Sequence, residues 1–389
     1  MAGPFEKGVA ILFYFLFTCT IFSPLVSGFA LWLFVFVPFL SRGYLLEARY
    51  VRKNVFISLM FAVCLSSLFF MPVVTLKILF SYICVTYVIY TIKKGLFFYM
   101  HLFSMLNVIV CFIQYLVLTY FGMEVLDPAK IGSFVYGSFA LTTGDTFAPG
   151  FLFSYRVSGL NREPGFMSSL FLAGLIMLFY LTKKGSQYRR SHHYILLGAY
   201  LLGLALTFSK VTLALACALP LAHLFRGWVR RLGPDLVTVL FLLVMCFAVT
   251  VFYNFSQLQH YPQDFYHGLS IYHRTIGYYV LADLEFMDLM LGIGNDVSGL
   301  AKELVYIKNS EWWGYDRLIF DNSGLSQLVI SFGVIIIMPF LFFLRACGVD
   351  GYRWLVFLLM TVSVNPLTST SFVILSLVLA FSQQRKRIN

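Results

Sequence analysis

Long, uninterrupted apolar runs dominate this chain, and strict alternation of apolar and polar residues is absent from them. A bilayer core about 30 Å thick is crossed by about 20 apolar residues in a helix. Runs near that length recur, and they predict helices, because only an internally bonded backbone tolerates lipid. The first run, Val9 to Leu40, exceeds one ordinary span. Pro24 and Gly28 interrupt it, so it is read as two short helices joined by a tight turn. A second span at once after the first, with no small-residue cleavage site between them, argues against a cleaved signal peptide. Further spans are expected at about 55–71, 78–92, 96–121, 166–182, 194–208, 211–225, 236–253, 324–344, 354–364 and 372–382, about twelve in all. The fold class expected is an all-α polytopic membrane protein in a single integral membrane domain, 1–389, and the continuous runs exclude a β-barrel.

Composition agrees: 60% of the 389 residues are hydrophobic, 12% are charged, and the mean hydropathy is +0.84. The charges orient the chain. With the N-terminus inside, the inner connections carry Lys7, Arg42, Arg49, Arg52, Lys53, Lys93, Lys94, Lys183, Lys184, Arg189 and Arg190. Arg226, Arg230, Arg231, Arg345, Arg353, Arg385, Lys386 and Arg387 continue the series, opposed only by Glu6, Glu47, Asp235 and Asp350. This is the positive-inside pattern, and it places both termini in the cytoplasm. The net charge of +11 therefore follows from topology and anionic headgroups, and nucleic acid is not expected as a partner. Most of the seven cysteines fall inside spans and none forms a CxxC pair, so neither disulfides nor a metal site is expected.

Two outer segments, 122–165 and 254–323, are too long for simple turns, and loops of this length usually carry function. The first ends in RVSGLNREPGFMSS, Arg156 to Ser169. Pro164 suits the first turn of a helix and holds Glu163 extended before it. Glu163 is then an acidic helix cap, a partner for Arg156 or Arg162, or a functional carboxylate. Arg156 and Arg162 are either structural ion-pair members or the grip for an anion at the outer interface, where guanidinium forks match phosphate oxygens. Lys210 interrupts an apolar stretch that turns outward, and either snorkels or joins that anion site. Arg274 lies in an amphipathic helix expected over 272–291, which leads into the turn Gly292-Ile293-Gly294. Tyr272, Trp312 and Trp313 either stack on sugar rings or form an interfacial aromatic belt. Glu163, His273 and Asp321 are the candidates for a general base.

The order of Arg156-x-x-Gly159, Glu163-Pro164, Thr207-Phe208-Ser209-Lys210, Arg274 with its downstream Gly-x-Gly, and Asp321-Asn322-Ser323 before a helix with Gly333 resembles Wzy-type O-antigen and exopolysaccharide polymerases and the related O-antigen ligases. The resemblance covers about Arg156 to Leu344; Lys210 stands where the family often has Arg, and Asp321 where ligase-like relatives have His. It implies a GT-C type fold in the bacterial inner membrane. It also implies catalysis at the periplasmic face on undecaprenyl-diphosphate-linked oligosaccharide, with no cofactor. Arg156, Arg162, Glu163, Arg274 and Asp321 would then be catalytic, with Lys210, Tyr272, His273, Trp312, Trp313 and Asn322 binding substrate. A chain-length regulator and a flippase are the implied partners. A ligase acting on the same donor, and a transporter of lipid-linked sugars, are the alternative readings.

Overall fold

The computed structural model describes residues 3–26, 29–48, 72–140, 147–149, 155–182, 190–207, 210–255, 277–282, 284–292, 325–346 and 349–363. These are mostly helical, with two short two-stranded ribbons. The chain divides into two compact units: Met1–Val51 with Ile83–Ala216 and Phe372–Leu377, and Arg52–Tyr82 with Cys217–Ser371 and Val378–Asn389.

In the first unit α1 (Pro4–Thr18) is followed by short 3-10 turns and an antiparallel hairpin, β1 (Leu25–Val26) with β2 (Phe29–Ala30). The second helix expected within Val9–Leu40 does not form. Residues Leu33–Val35 and Val37–Leu40 make 3-10 turns instead. Pro24 and Pro38 each remove a backbone donor, so continuous i to i−4 bonding is lost, and tight turns let Phe34 pack its ring on Phe13 and Phe17 of α1. α2 (Arg42–Ala48) begins at Ser41, whose Oγ accepts from the Tyr44 amide and donates to Glu6, while Gly43 N donates to Glu6 Oε1 at 2.8 Å. One carboxylate of α1 thus caps a second helix, favourable at its positive end.

α3 (Pro72–Lys94) precedes α4 (Phe98–Phe121), which ends at left-handed Gly122. Then come α5 (Pro128–Tyr136), capped by Asp127 on the Ala129 amide at 2.9 Å, and the ribbon β3 (Phe147–Pro149) with β4 (Tyr155–Val157). α6 (Pro164–Thr182), α7 (Arg190–Leu206) and α8 (Lys210–Leu224) follow. α4 packs on α1, α6 and α7, and α6 packs on α7. Small residues set the last approach: Gly174 faces the Tyr200 ring and Gly203 faces the Phe171 ring, each too close for a Cβ. At that seam the Tyr200 hydroxyl meets His101 Nδ1 of α4 at 2.6 Å, both side chains buried.

In the second unit α9 (Arg226–Val229) leads into α10 (Pro234–Phe255), which packs on α12 (Leu325–Ala346) and α13 (Gly351–Ser363). The amphipathic helix expected over 272–291 is not continuous: residues 277–282 are helical, Glu285 is extended at φ −59° and ψ 150°, and α11 (Phe286–Leu291) is a separate turn. The break lets Tyr278 bury completely against Phe241 while Phe286 and Met287 stay exposed. Gly292 follows α11 at φ +76° and ψ 160°, a conformation that favours glycine, and Ile293 and Gly294 of the expected turn lie outside the described residues. α12 breaks at Gly333, φ +73°, where the backbone of Met290 to Gly292 comes too close for any side chain.

Among the described residues two helices are long and apolar enough to cross a membrane, Phe98–Phe121 and Pro234–Val251. Pro164–Leu178, His192–Leu206 and Gly351–Val362 are apolar but shorter. The spans expected at 55–71 and 372–382 lie outside the described residues.

Candidate functional site

The stretch from Arg156 to Glu163 links β4 to α6, and its conformation begins with glycine. Gly159 has φ +62°, and the Asn161 amide closes a turn on the Ser158 carbonyl at 3.1 Å. A Cβ at Gly159 would stand 3.0 Å from both Asn107 Oδ1 and Cys111 Sγ of α4, so the left-handed φ favours glycine and the space beside it is tight.

Two buried amides of α4 hold this turn. Gln114 pairs with the Gly159 peptide in both directions: its Oε1 accepts from Gly159 N at 2.9 Å, and its Nε2 donates to Gly159 O at 3.0 Å. The same Nε2 donates to Leu126 O at 2.9 Å, tying in the chain that leaves α4. Asn107 Oδ1 accepts from Leu160 N at 2.9 Å, and its Nδ2 donates to Phe103 O of its own helix at 3.0 Å. From the other side Thr20 Oγ1 donates to Asn161 Oδ1, which also accepts the Arg162 amide at 2.9 Å. Asn107, Gln114, Thr20 and Asn161 are all buried, where hydrogen bonds are strong because the unpaired alternative is costly.

This frame presents the charged side chains. Arg156 sits in β4 opposite Ala148, partly buried, with its Nε shielded from solvent and without a hydrogen-bond partner. Among the described residues no carboxylate pairs with it. Arg162 Nε lies 3.4 Å from Glu163 Oε1, within ion-pair distance but outside hydrogen-bond geometry, and both side chains are about two-fifths exposed (39% and 41%). Glu163 therefore pairs with Arg162, and its carbonyl accepts from Met167 N at 3.2 Å to open α6, with Pro164 in the first turn as expected. A neighbouring anchor is Tyr136, whose hydroxyl donates to Phe22 O at 3.0 Å, and burial raises its phenol above the ordinary value.

Of the expected site residues the structure brings Arg156, Arg162 and Glu163 into one short segment. Lys210 is the first residue of α8, and its side chain lies outside the described residues. Tyr272, His273, Arg274, Trp312, Trp313, Asp321 and Asn322 lie outside them too. The residues absent from the sequence reading are Asn107 and Gln114. Their signal was available: His101, Ser104, Asn107, Cys111 and Gln114 recur at helical spacing on one face of an apolar helix, and polar groups there seldom lack a task. No family model, curated protein or solved structure matches this chain.

Proposed function

We propose that this chain is a Wzy-like polysaccharide polymerase of about twelve spans, with both termini in the cytoplasm and its site at the periplasmic face of a bacterial inner membrane. A hydroxyl oxygen of one undecaprenyl-diphosphate-linked repeat attacks the anomeric carbon of another. The bond from that carbon to the diphosphate breaks, its electron pair leaves with undecaprenyl diphosphate, and the hydroxyl proton passes to a base or to solvent. The barrier falls when positive charge stands ready at the diphosphate oxygens. The observation that supports this reading is the Arg156 guanidinium, free of any carboxylate among the described residues, on the strand β4 that leads into a turn braced by Asn107 and Gln114. Bracing matters because a preorganised donor pays no reorganisation cost as charge develops. Arg162, already beside Glu163, has the lesser role, and Glu163 is a candidate to take the acceptor proton, as are His273 and Asp321. The resemblance further implies catalytic roles for Arg274 and Asp321 and substrate contacts for Lys210, Tyr272, His273, Trp312, Trp313 and Asn322.

The test is polymerisation of purified lipid-linked repeats by the protein in liposomes. Products longer than one repeat support the reading, and single repeats left intact overturn it. The break at Gly333 favours a second reading, since interrupted helices also line transporter pathways. Movement of intact lipid-linked repeats between leaflets without chain growth would establish that alternative. Polysaccharide from cells lacking the gene separates the ligase: accumulated long lipid-linked chains point to transfer onto lipid A-core, and single-repeat glycans point to polymerisation.

A further inference from the structure

The second unit carries a charged corner that the proposed chemistry does not use. α8 runs into α9 with little interruption, since Phe225 N donates to Leu221 O at 3.4 Å and Val229 N to Phe225 O at 3.0 Å. Along it Leu221, Leu224, Phe225 and Trp228 recur at helical spacing and are 57%, 78%, 62% and 61% exposed, while Ala222 and Val229 of the same turns are buried. This is an apolar stripe with nothing among the described residues covering it. At its end stand arginines. Arg230 lies over the Tyr352 ring at 5.8 Å, Arg226 stands one helical turn before it with its carbonyl accepting from Arg230 N at 3.1 Å, and the Tyr352 hydroxyl meets His223 Nδ1 at 3.0 Å.

The charge here is unbalanced in a defined way. Asp235 is engaged by Arg345 at 3.0 Å, and Asp350 lies 3.4 Å from Arg353 while its Oδ1 also accepts the Arg353 amide at 3.0 Å. Arg226, Arg230 and Arg231 have no carboxylate against them among the described residues. Arg230 Nε is shielded from solvent and has no hydrogen-bond partner. The frame is firm: Gly351 N donates to Leu232 O at 3.2 Å, and a Cβ at Gly351 would crowd the carbonyls of Val229 and Leu232.

We infer that this corner binds an anionic phospholipid, with the headgroup phosphate between Arg226 and Arg230 and an acyl chain along Leu221, Leu224, Phe225 and Trp228. Fixed positive charge at the end of an exposed apolar stripe complements a phosphate joined to a hydrocarbon tail, and basic pockets at the inner ends of helices suit such headgroups. Trp228 marks the level of the interface. The inference rests on the membrane reading above and is independent of the polymerase chemistry.

The experiment is native mass spectrometry of the intact protein in detergent, with equal phosphatidylglycerol and phosphatidylcholine. Phosphatidylglycerol is expected to bind in at least about fivefold excess, and R226Q/R230Q to lose about tenfold or more of it. R226K/R230K, which keeps the charge, is expected to retain the preference and reports that loss in the glutamine pair is not misfolding. Trp228→Ser should weaken both lipids. Equal binding of the two lipids, or an undiminished preference in R226Q/R230Q, overturns the inference. Displacement by millimolar inorganic phosphate overturns it in favour of a soluble anion, and a dimer that forms as lipid is stripped overturns it in favour of a second copy on the stripe. Polymerisation is read in the same preparations: lipid selectivity without chain growth removes the polymerase reading alone, and chain growth without selectivity removes this one alone.

Discussion

The turn at Gly159 and the corner at Gly351 both place arginines beside a glycine pressed against another backbone, yet they are held by different means. At Gly351 main chain bonds main chain, Gly351 N to Leu232 O, and the nearby acids are taken up by Arg345 and Arg353. At Gly159 the turn is held by side-chain amides reaching out of α4, and Arg156 has no acid beside it among the described residues. Backbone-to-backbone contact needs only small residues and closeness. An amide pair inside an apolar helix is costly unless each partner is met, so it specifies one conformation of the turn and no other. The difference marks the first region as one whose geometry is specified by buried side-chain amides.

The largest break of this contrast is expected from Gln114→Leu. It strips partners from Gly159 N, Gly159 O and Leu126 O at once. At about 1–3 kcal/mol for each of these buried groups left unpaired, the loss should be at least about 3 kcal/mol, read as a lowered unfolding midpoint in detergent by circular dichroism. A midpoint like wild type would show that the amide does not hold the turn.

Next come the two glycines, compared directly. Gly159→Ala meets both a left-handed φ and contacts of 3.0 Å to Asn107 and Cys111, and should cost about 2–4 kcal/mol. Gly351→Ala keeps an ordinary φ, but its Cβ would stand 2.5 and 2.6 Å from the Val229 and Leu232 carbonyl oxygens, and it should cost about 3 kcal/mol or more. The same unfolding measurement reads both, and a midpoint like wild type in Gly159→Ala would refute the claim that the Gly159 turn is tightly specified.

Arg156→Lys keeps charge and loses the fork, so polymer output should fall at least about tenfold, about 1.4 kcal/mol in the barrier, with stability unchanged. Arg345→Lys, whose guanidinium answers Asp235 at 3.0 Å, should leave output unaffected. Polymerisation at matched protein levels decides, and equal rates for Arg156→Lys and wild type would take Arg156 out of the chemistry.

The smallest effect on folding belongs to Glu163→Gln. An ion pair this exposed is worth about 0–1 kcal/mol, so the unfolding midpoint should barely move. A loss of output with that midpoint intact would mark Glu163 as a proton acceptor, and unchanged output would leave it as the neighbour of Arg162 alone.

Several features were legible from the chain because their causes are local. Apolar runs predicted α4, α6, α7, α8, α10, α12 and α13 near their observed bounds, since burying a backbone without water demands helices whatever the neighbours are. Pro164 opening α6 also follows from the stereochemistry of a single residue. The same rules failed within Val9–Leu40, where hydrophobicity was mistaken for helicity. Pro24 and Pro38 weaken continuous bonding, and the aromatic face of α1 offers 3-10 turns a surface to pack on. They failed again over 272–291, where burial of Tyr278 and the close approach at Gly333 favour a break over one long amphipathic helix.

By itself the sequence determined that this chain buries helices, which residues of RVSGLNREPGFMSS carry charge, and where glycine and proline bend the backbone. Only the tertiary structure decided that Gln114, 45 residues before Gly159, reads both ends of its peptide, and that Asn107 meets the next amide. It also decided which arginine has an acid beside it. The reason is that helical period tells which face a polar side chain occupies, but a hydrogen bond depends on what folding brings opposite that face, and no local rule contains the partner.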